Sequence, residues 1–294
     1  MSRLSPGALF LLAVVAATCA CAGNAEPRRW TPAGIASDQY ESTPAFTPDG
    51  REMYFMLSDR RFQNYRVVWS RCEAGHWTTP RPAAFAAPPP VLEADPFLTP
   101  DGKRLYFVSA RRDPTGADLD IWYVDREPGG RWGRPLRMPE PVNSQGAELL
   151  PRATADGRVY FGSDRAGGHG LSDIYVTVPR GDGSWTVSNL GPPVSSPANE
   201  YEADISRDGR TLILVADRGD RSHLYRFVLQ DGRWMERDRI AARADVFQVG
   251  PLLSPRADRL LFAQADGERS GELFVVDLSP DASQAWPPDC AAMR

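Results

Sequence analysis

Histidine is scarce in this chain of 294 residues: His76, His169 and His223 are all there is. They fall at unrelated points, and their scatter matches no metal-ligand spacing. No G-x-S-x-G nucleophile elbow occurs, so the commonest α/β-hydrolase signature is missing. Blocks of Lys and Arg are also missing, and the formal charge is −4 with a pI near 5.5. That balance speaks against nucleic acid and against an anionic membrane patch as partner. Beyond residue 17 no apolar run is long enough for a transmembrane helix. Cysteine is limited to four residues, two of them, Cys19 and Cys21, close to the start.

That start differs from the rest. Arg3 precedes an apolar stretch from Leu9 to Ala17, followed by small residues. The pattern is that of a secretory leader, expected to cover residues 1–22. Ala20-Cys21-Ala22 suits cleavage after Ala22, and Cys21 could alternatively become a lipidated N-terminus. Thr18-Cys19-Ala20 lacks the Leu that usually precedes such a cysteine. The expected address is outside the cytoplasm, as a periplasmic protein or an outer-membrane lipoprotein. Cys72 and Cys290 then form an even pair in an oxidising compartment, to be read as a disulfide or as two buried thiols.

What the chain has in abundance is one hairpin. "LTPDGKRLYFVSAR" begins at Leu98, with kin at Thr47 ("TPDGREMYFMLSDR"), Thr154 ("TADGRVYFGSDR") and Ser206 ("SRDGRTLILVADR"), and a degenerate fifth copy at Ser254. Asp-Gly between alternating apolar runs forms a tight antiparallel turn closed by a left-handed Gly. A second apolar run follows each of the last four copies, such as "DIWYV" at Asp120 and "DIYVTV" at Asp173. After the first four copies a Trp (Trp77, Trp132, Trp185, Trp234) opens a further extended segment. Four short strands in a unit of about 50 residues predict a β-propeller.

Five copies predict an all-β chain of five four-stranded antiparallel blades, with six blades as the alternative. The propeller is expected over 28–280, with repeats near 41–85, 93–142, 148–194, 200–241 and 248–278, and a tail at 281–294. Pro44, Pro96, Pro151 and Pro251 stand five residues before the turn position, with Ala203 in the remaining copy. A donor missing at one column marks that strand as an edge, here the edge facing the axis. The fifth copy lacks its own fourth strand. The segment around Trp30 is preferred to "AWPPDC" at Ala285, because pairing the two chain ends removes an open edge.

The unit E-x-x-P-x-x-[TS]-x-D-G-[KR]-x-[LM]-Y-F-x-S-x-R, followed by D-I-[YW], resembles the WD40-like, TolB-type propeller repeats of bacterial envelope proteins. The resemblance covers most of the chain beyond the leader. It implies a propeller and a role in binding within the envelope; TolB propellers have six blades, and five copies are counted here.

Two charged columns follow the repeat. Glu41, Glu93, Glu148 and Glu200 lie eight residues before the turn Asp, and Arg60, Arg111, Arg165 and Arg218 lie nine to eleven after it. Gln248 and Asp266 replace both members in the fifth copy. Cross-strand geometry makes each pair neighbours at one rim of the channel. The pairs either staple their own hairpins or form a rim that receives a polar ligand, with Asp266 left unpaired for it. Asp113, Asp118 and Asp120 are weak candidates for a cation, since their spacing matches no defined calcium loop. No cofactor is implied. The function expected is non-catalytic binding or scaffolding in the cell envelope, with a protein, peptide or glycan at the channel mouth. The alternative is a small metal-assisted lyase or lactonase with its site in the channel.

Overall fold

The computed structural model describes residues 26–114, 118–267 and 269–293. The expected leader and Cys21 lie outside the described residues, as do residues 115–117 of the acidic loop.

A short strand β1 (Arg28–Arg29) comes first. Blade I holds β2 (Tyr40–Phe46), β3 (Glu52–Ser58), β4 (Arg66–Glu73), β5 (His76–Trp77) and β6 (Arg81–Pro82). Blade II holds β7 (Glu93–Leu98), β8 (Arg104–Ser109), β9 (Asp120–Asp125) and β10 (Leu136–Arg137). Blade III holds β11 (Glu148–Ala153), β12 (Val159–Ser163), β13 (Asp173–Pro179) and β14 (Trp185–Asn189). Blade IV holds β15 (Asn199–Ile205), β16 (Thr211–Asp217), β17 (Ser222–Gln230) and β18 (Arg233–Arg239). Blade V holds β19 (Gln248–Leu253), β20 (Arg259–Asp266) and β21 (Arg269–Asp277).

Within each blade successive strands pair antiparallel. In blade I the outer position is split, with β5 and β6 both pairing β4. β1 completes blade V, placing Arg28 opposite Val275 and Arg29 opposite Phe274. The Trp30 N–H continues this ladder to the Leu273 carbonyl at 2.8 Å. The N-terminal segment therefore closes the ring. β2, β7, β11, β15 and β19 are the sheet edges, and each packs beside the next, with β19 returning to β2. The chain is a five-bladed propeller, not a six-bladed one.

The packing follows from the two-residue period of a strand. Phe107 of β8 points into the junction with blade I, beside Tyr54 and Val67, while Val108 points the other way, toward Phe161 of blade III. In the same manner Ile213 and Val215 meet Phe262 of blade V, and Leu212 and Leu214 meet Tyr160 of blade III. Second strands are apolar on both faces because each face is a blade junction. The outer strand β18 borders solvent and is polar along most of its length.

Each hairpin turn is held by its own side chains. The Glu52 N–H donates to Thr47 Oγ1 at 2.9 Å, and the Arg51 N–H donates to Asp49 Oδ1 at 3.1 Å. Gly50 occupies the left-handed region at φ 69°, and Ala257 takes the same conformation in the degenerate copy.

The inner strands carry a second, less regular feature. Residues just before the column prolines have positive φ: Thr43 (46°), Asp95 (55°), Leu150 (45°) and Gly250 (63°). The strand pairing slips register at the same place. Proline disfavours the helical region for its predecessor and removes a ladder donor, so the strand bulges there. Left-handed backbone at non-Gly residues costs about 1–3 kcal/mol each. In blade IV, where Ala203 replaces Pro, the slip falls earlier, between Glu200 and Glu202.

A disulfide joins Cys72 of β4 to Cys290 in the C-terminal 3-10 turn, Cys290–Ala292. Arg259 holds the intervening chain through the Ser283 and Trp286 carbonyls. The cross-link spans 218 residues of sequence, which in the chain-entropy description stabilises by about 5 kcal/mol.

Because β1 covers the outer edge of blade V, removing residues 1–34 should lower the midpoint of chemical unfolding and broaden the transition. Denaturation followed by circular dichroism checks this, and an unchanged midpoint and slope would show that the ring closes without β1.

Candidate binding site at the channel mouth

The channel has two ends. At one, the inner strands begin; at the other lie the Asp-Gly turns. The Glu column sits at the first, and its carboxylates are buried rather than displayed. Glu41, Glu148 and Glu200 each accept the N–H of a serine four residues earlier, Ser37 (3.0 Å), Ser144 (3.2 Å) and Ser196 (2.9 Å), and also its hydroxyl. Glu93 takes the Ala87 N–H at 2.9 Å instead. Each Glu thus fastens the loop arriving from the previous blade. Burial is the largest influence on Glu93, Glu148 and Glu200 and raises their carboxyl pKa values.

The Arg column is split. Arg111 reaches Glu93 at 2.8 Å and Arg165 reaches Glu148 at 2.9 Å, as cross-strand geometry requires. Arg60 turns instead to Asp38, 3.4 Å away, with its side chain 66% exposed. Arg218 turns to Glu236 at 3.0 Å and lies over the Tyr225 ring. Arg60 and Arg218 thus pair with other acids while serines bond Glu41 and Glu200; at Glu148 a serine and Arg165 bind together. Asp266 is not unpaired, because Arg29 from β1 lies 3.2 Å from it. Gln248 Oε1 accepts from His223 Nδ1 at 2.7 Å, and its Nε2 donates to the Arg243 carbonyl at 2.6 Å. Of the four expected Glu–Arg pairs two form, and Asp266, expected to be unpaired, meets Arg29.

In the acidic loop, Asp120 is engaged by Arg137 through two hydrogen bonds, of 2.7 and 2.5 Å. Burial raises the Asp118 carboxyl, helped by the charge on Asp120. Among the described residues, no group of three or more His, Cys, Asp or Glu side chains is placed to hold a metal ion.

Deeper in the channel the bulges create something the repeat did not announce. Asp95 Oδ2 accepts the N–H of left-handed Leu150 at 3.0 Å, and Glu202 Oε2 accepts that of left-handed Gly250 at 2.7 Å. Each carboxylate thereby ties its blade to the next. Beneath them Arg152, fully buried, sits 3.0 Å from Asp204 and donates to the Pro151 and Pro251 carbonyls at 3.1 and 3.3 Å. Three buried acids therefore share one guanidinium. Burial is the main cause that raises all three; the charge on Asp95 adds to it at Glu202, and Arg152 opposes it. Asp204 is pushed up to about 6.

Above Asp95 and Glu202 opens a cavity of about 490 Å³ at the strand-start end. Its wall is aromatic: Tyr40 and Phe62 meet edge-on at 5.0 Å, and Phe62 and Tyr65 lie 5.3 Å apart. Asp59 shapes the loop that presents Phe62, accepting the N–H groups of Arg61 and Gln63 at 3.1 and 2.9 Å. Tyr201 and Phe247 complete the wall on the side of blades IV and V. Tyr40 packs against Gly271 so closely that a Cβ there would lie 2.7 Å from its ring. At the opposite end the tail lies against the turn of blade I and borders a smaller cavity of about 270 Å³ among the turns. A Cβ on Gly50 would come within 2.8 Å of Met293 and 3.0 Å of Pro288.

No family model and no curated protein sequence matches the chain. Solved structures do. A protein assigned as TolB from Agrobacterium tumefaciens superposes with a TM-score of 0.52 at 20% identity, over 78% of this chain and 72% of that one. A family 117 glycoside hydrolase of the marine bacterium Zobellia galactanivorans gives 0.54 at 12% identity, over 87% and 91%. TolB from Acinetobacter baumannii gives 0.49 at 18% identity, with 83% of this chain spanning 56% of that one. The first two likenesses show a shared fold.

Two outcomes follow from the buried charges. Arg111→Ala should cost about 3 kcal/mol, because it strands the fully buried Glu93. Arg60→Ala should cost under about 1 kcal/mol, since its pair with Asp38 is exposed; denaturant titration of both variants checks the contrast. The raised channel acids also set a pH response. A carboxyl whose folded pKa exceeds its unfolded value contributes its stability at low pH and loses it as pH rises through the folded value. Thermal stability should therefore fall as pH rises from about 4 through about 8, with Asp204 responsible near 6 and Glu202 near 8, and Asp204→Asn should flatten the lower part of that slope.

Proposed function

We propose that this chain is a non-catalytic binding propeller of the bacterial cell envelope, taking a polypeptide partner at its strand-start mouth. The observation that carries the reading is the inequality of the two ends. One end is narrowed by the chain's own tail to a cavity of about 270 Å³ among the turns, and the other opens into a larger, aromatic cavity with Phe62 and Phe247 partly exposed, at 49% and 38%. Exposed aromatics around a concavity are typical of the centre of a protein interface. The TolB-like fold supports a scaffold role by analogy of architecture. The Cys72–Cys290 disulfide fits an oxidising compartment. Export directed by residues 1–22, with or without lipid on Cys21, completes the reading. The Glu and Arg columns then serve chiefly to shape the mouth, with Arg60 the member that lines the cavity.

The metal-assisted lyase or lactonase remains the alternative. It would require the channel acids to exchange their backbone donors and Arg152 for a metal and substrate.

Capture from envelope extract tests the reading. The parent chain should retain a cross-linked partner that Phe62→Asp/Phe247→Asp loses and Met235→Asp, altered on an outer strand, keeps. Equal capture by all three would place the contact elsewhere, and a stoichiometric divalent ion in the purified protein would favour the enzyme.

A further inference from the structure

We propose that the cavity floor is a receptor for one lysine side chain, with Asp95, Glu202 and Thr43 as its three acceptors. The inference rests on the binding reading above and specifies what the partner inserts.

Charge is the first argument. Asp95, Glu202 and Asp204 are all buried, and Arg152 is the single cation among them. Burial raises all three carboxyls, Glu202 to about 8, so a second cation entering from the cavity would draw the floor acids into their charged form and pair with them there. Arg60 and Arg61 stand at the outer edge of the same cavity. Arg60 is matched by Asp38, and charges in water are screened within about 10 Å, so they oppose a buried cation weakly.

Unused hydrogen-bonding capacity is the second. Thr43 lines the cavity at 2% exposure, yet its hydroxyl has no partner. Buried hydroxyls are normally satisfied, and an orphan calls for an explanation. It lies beside Gly250, where a Cβ would come within 3.0 Å of Thr43, and Gly250 in turn donates to Glu202. Asp95 and Glu202 each spend one oxygen on a backbone N–H, leaving Oδ1 and Oε1.

That arithmetic selects the cation. A guanidinium prefers both oxygens of one carboxylate in a planar fork. Here neither acid has both oxygens to give. An ammonium offers three separate donors, and the floor offers three single acceptors. The aromatic wall of Tyr40, Phe62 and Tyr65 suits the four-carbon stem, since lysine buries its methylenes along apolar surface.

The test is titration of the full chain with capped Ala-Lys-Ala, followed by ligand-observed NMR. Three comparison peptides replace the lysine with Nε-acetyl-lysine, replace it with arginine, or carry only a free N-terminal amine. The lysine peptide should bind about tenfold or more tightly than each of the others, the margin expected when a charged hydrogen bond is lost. Asp95→Asn and Glu202→Gln should each weaken it by a similar factor, and Thr43→Val by less. Asn and Gln keep a carbonyl oxygen for the Leu150 and Gly250 N–H groups, so these variants should retain the parent's circular dichroism. Equal binding of the acetyl-lysine or arginine peptide, undiminished binding by the variants, or no binding at millimolar peptide would each overturn the proposal. Preference for the free N-terminus would reassign the floor to a chain end. If the peptides fail while partner capture still depends on Phe62 and Phe247, the lysine site falls and the binding reading stands.

Discussion

Five strand edges face one another around an axis, and none can complete its ladder there. This constraint governs the interior. The prolines at 44, 96, 151 and 251 remove donors from the exposed edges, and the bulges they impose turn the preceding residues into left-handed backbone. Freed N–H groups in a buried channel need acceptors. Asp95 and Glu202 supply them from the neighbouring blade. Acidic groups enter the core because the backbone requires them, and Arg152 follows to balance part of their charge. The cavity chemistry is a by-product of how the ring manages its edges.

The architecture was legible because it repeats. The Asp-Gly turn, the proline column and the Trp segments each recur with little change, and together they specify five blades and a closing strand near Trp30. Counting narrows the cysteine pair to Cys72 and Cys290 and an exported address favours a disulfide between them, which is the bond that forms. The site was harder to read for the opposite reason. Its members occupy repeat positions where the copies differ: Thr43, Asp95, Leu150, Glu202 and Gly250 share one column, and Arg152 and Asp204 share another. A search for recurrence passes over such positions. Phe62 lies in the loop between second and third strands, whose length and sequence differ from blade to blade, so no pattern pointed to it.

The Glu column illustrates a different gap. Its regularity was visible, and strand geometry paired it with Arg. Two of those pairs exist; Ser37 and Ser196 hold the other two Glu from the same tight loop, whereas at Glu148 Ser144 binds alongside Arg165. The spacing S-x-x-x-E was available in the sequence, most plainly in "VNSQGAE" and "VSSPANE". Local contacts need less ordering of long side chains than an Arg does, which is why they prevail at Glu41 and Glu200.

The bond between Cys72 and Cys290 makes most of the propeller a covalent circle. Blade V, the tail and blade I meet at the seam where both chain ends arrive, and the link crosses that seam. One peptide bond cut anywhere between those cysteines would open a loop without releasing a fragment. The protein can thus be nicked on its exposed hairpins and still remain a single molecule.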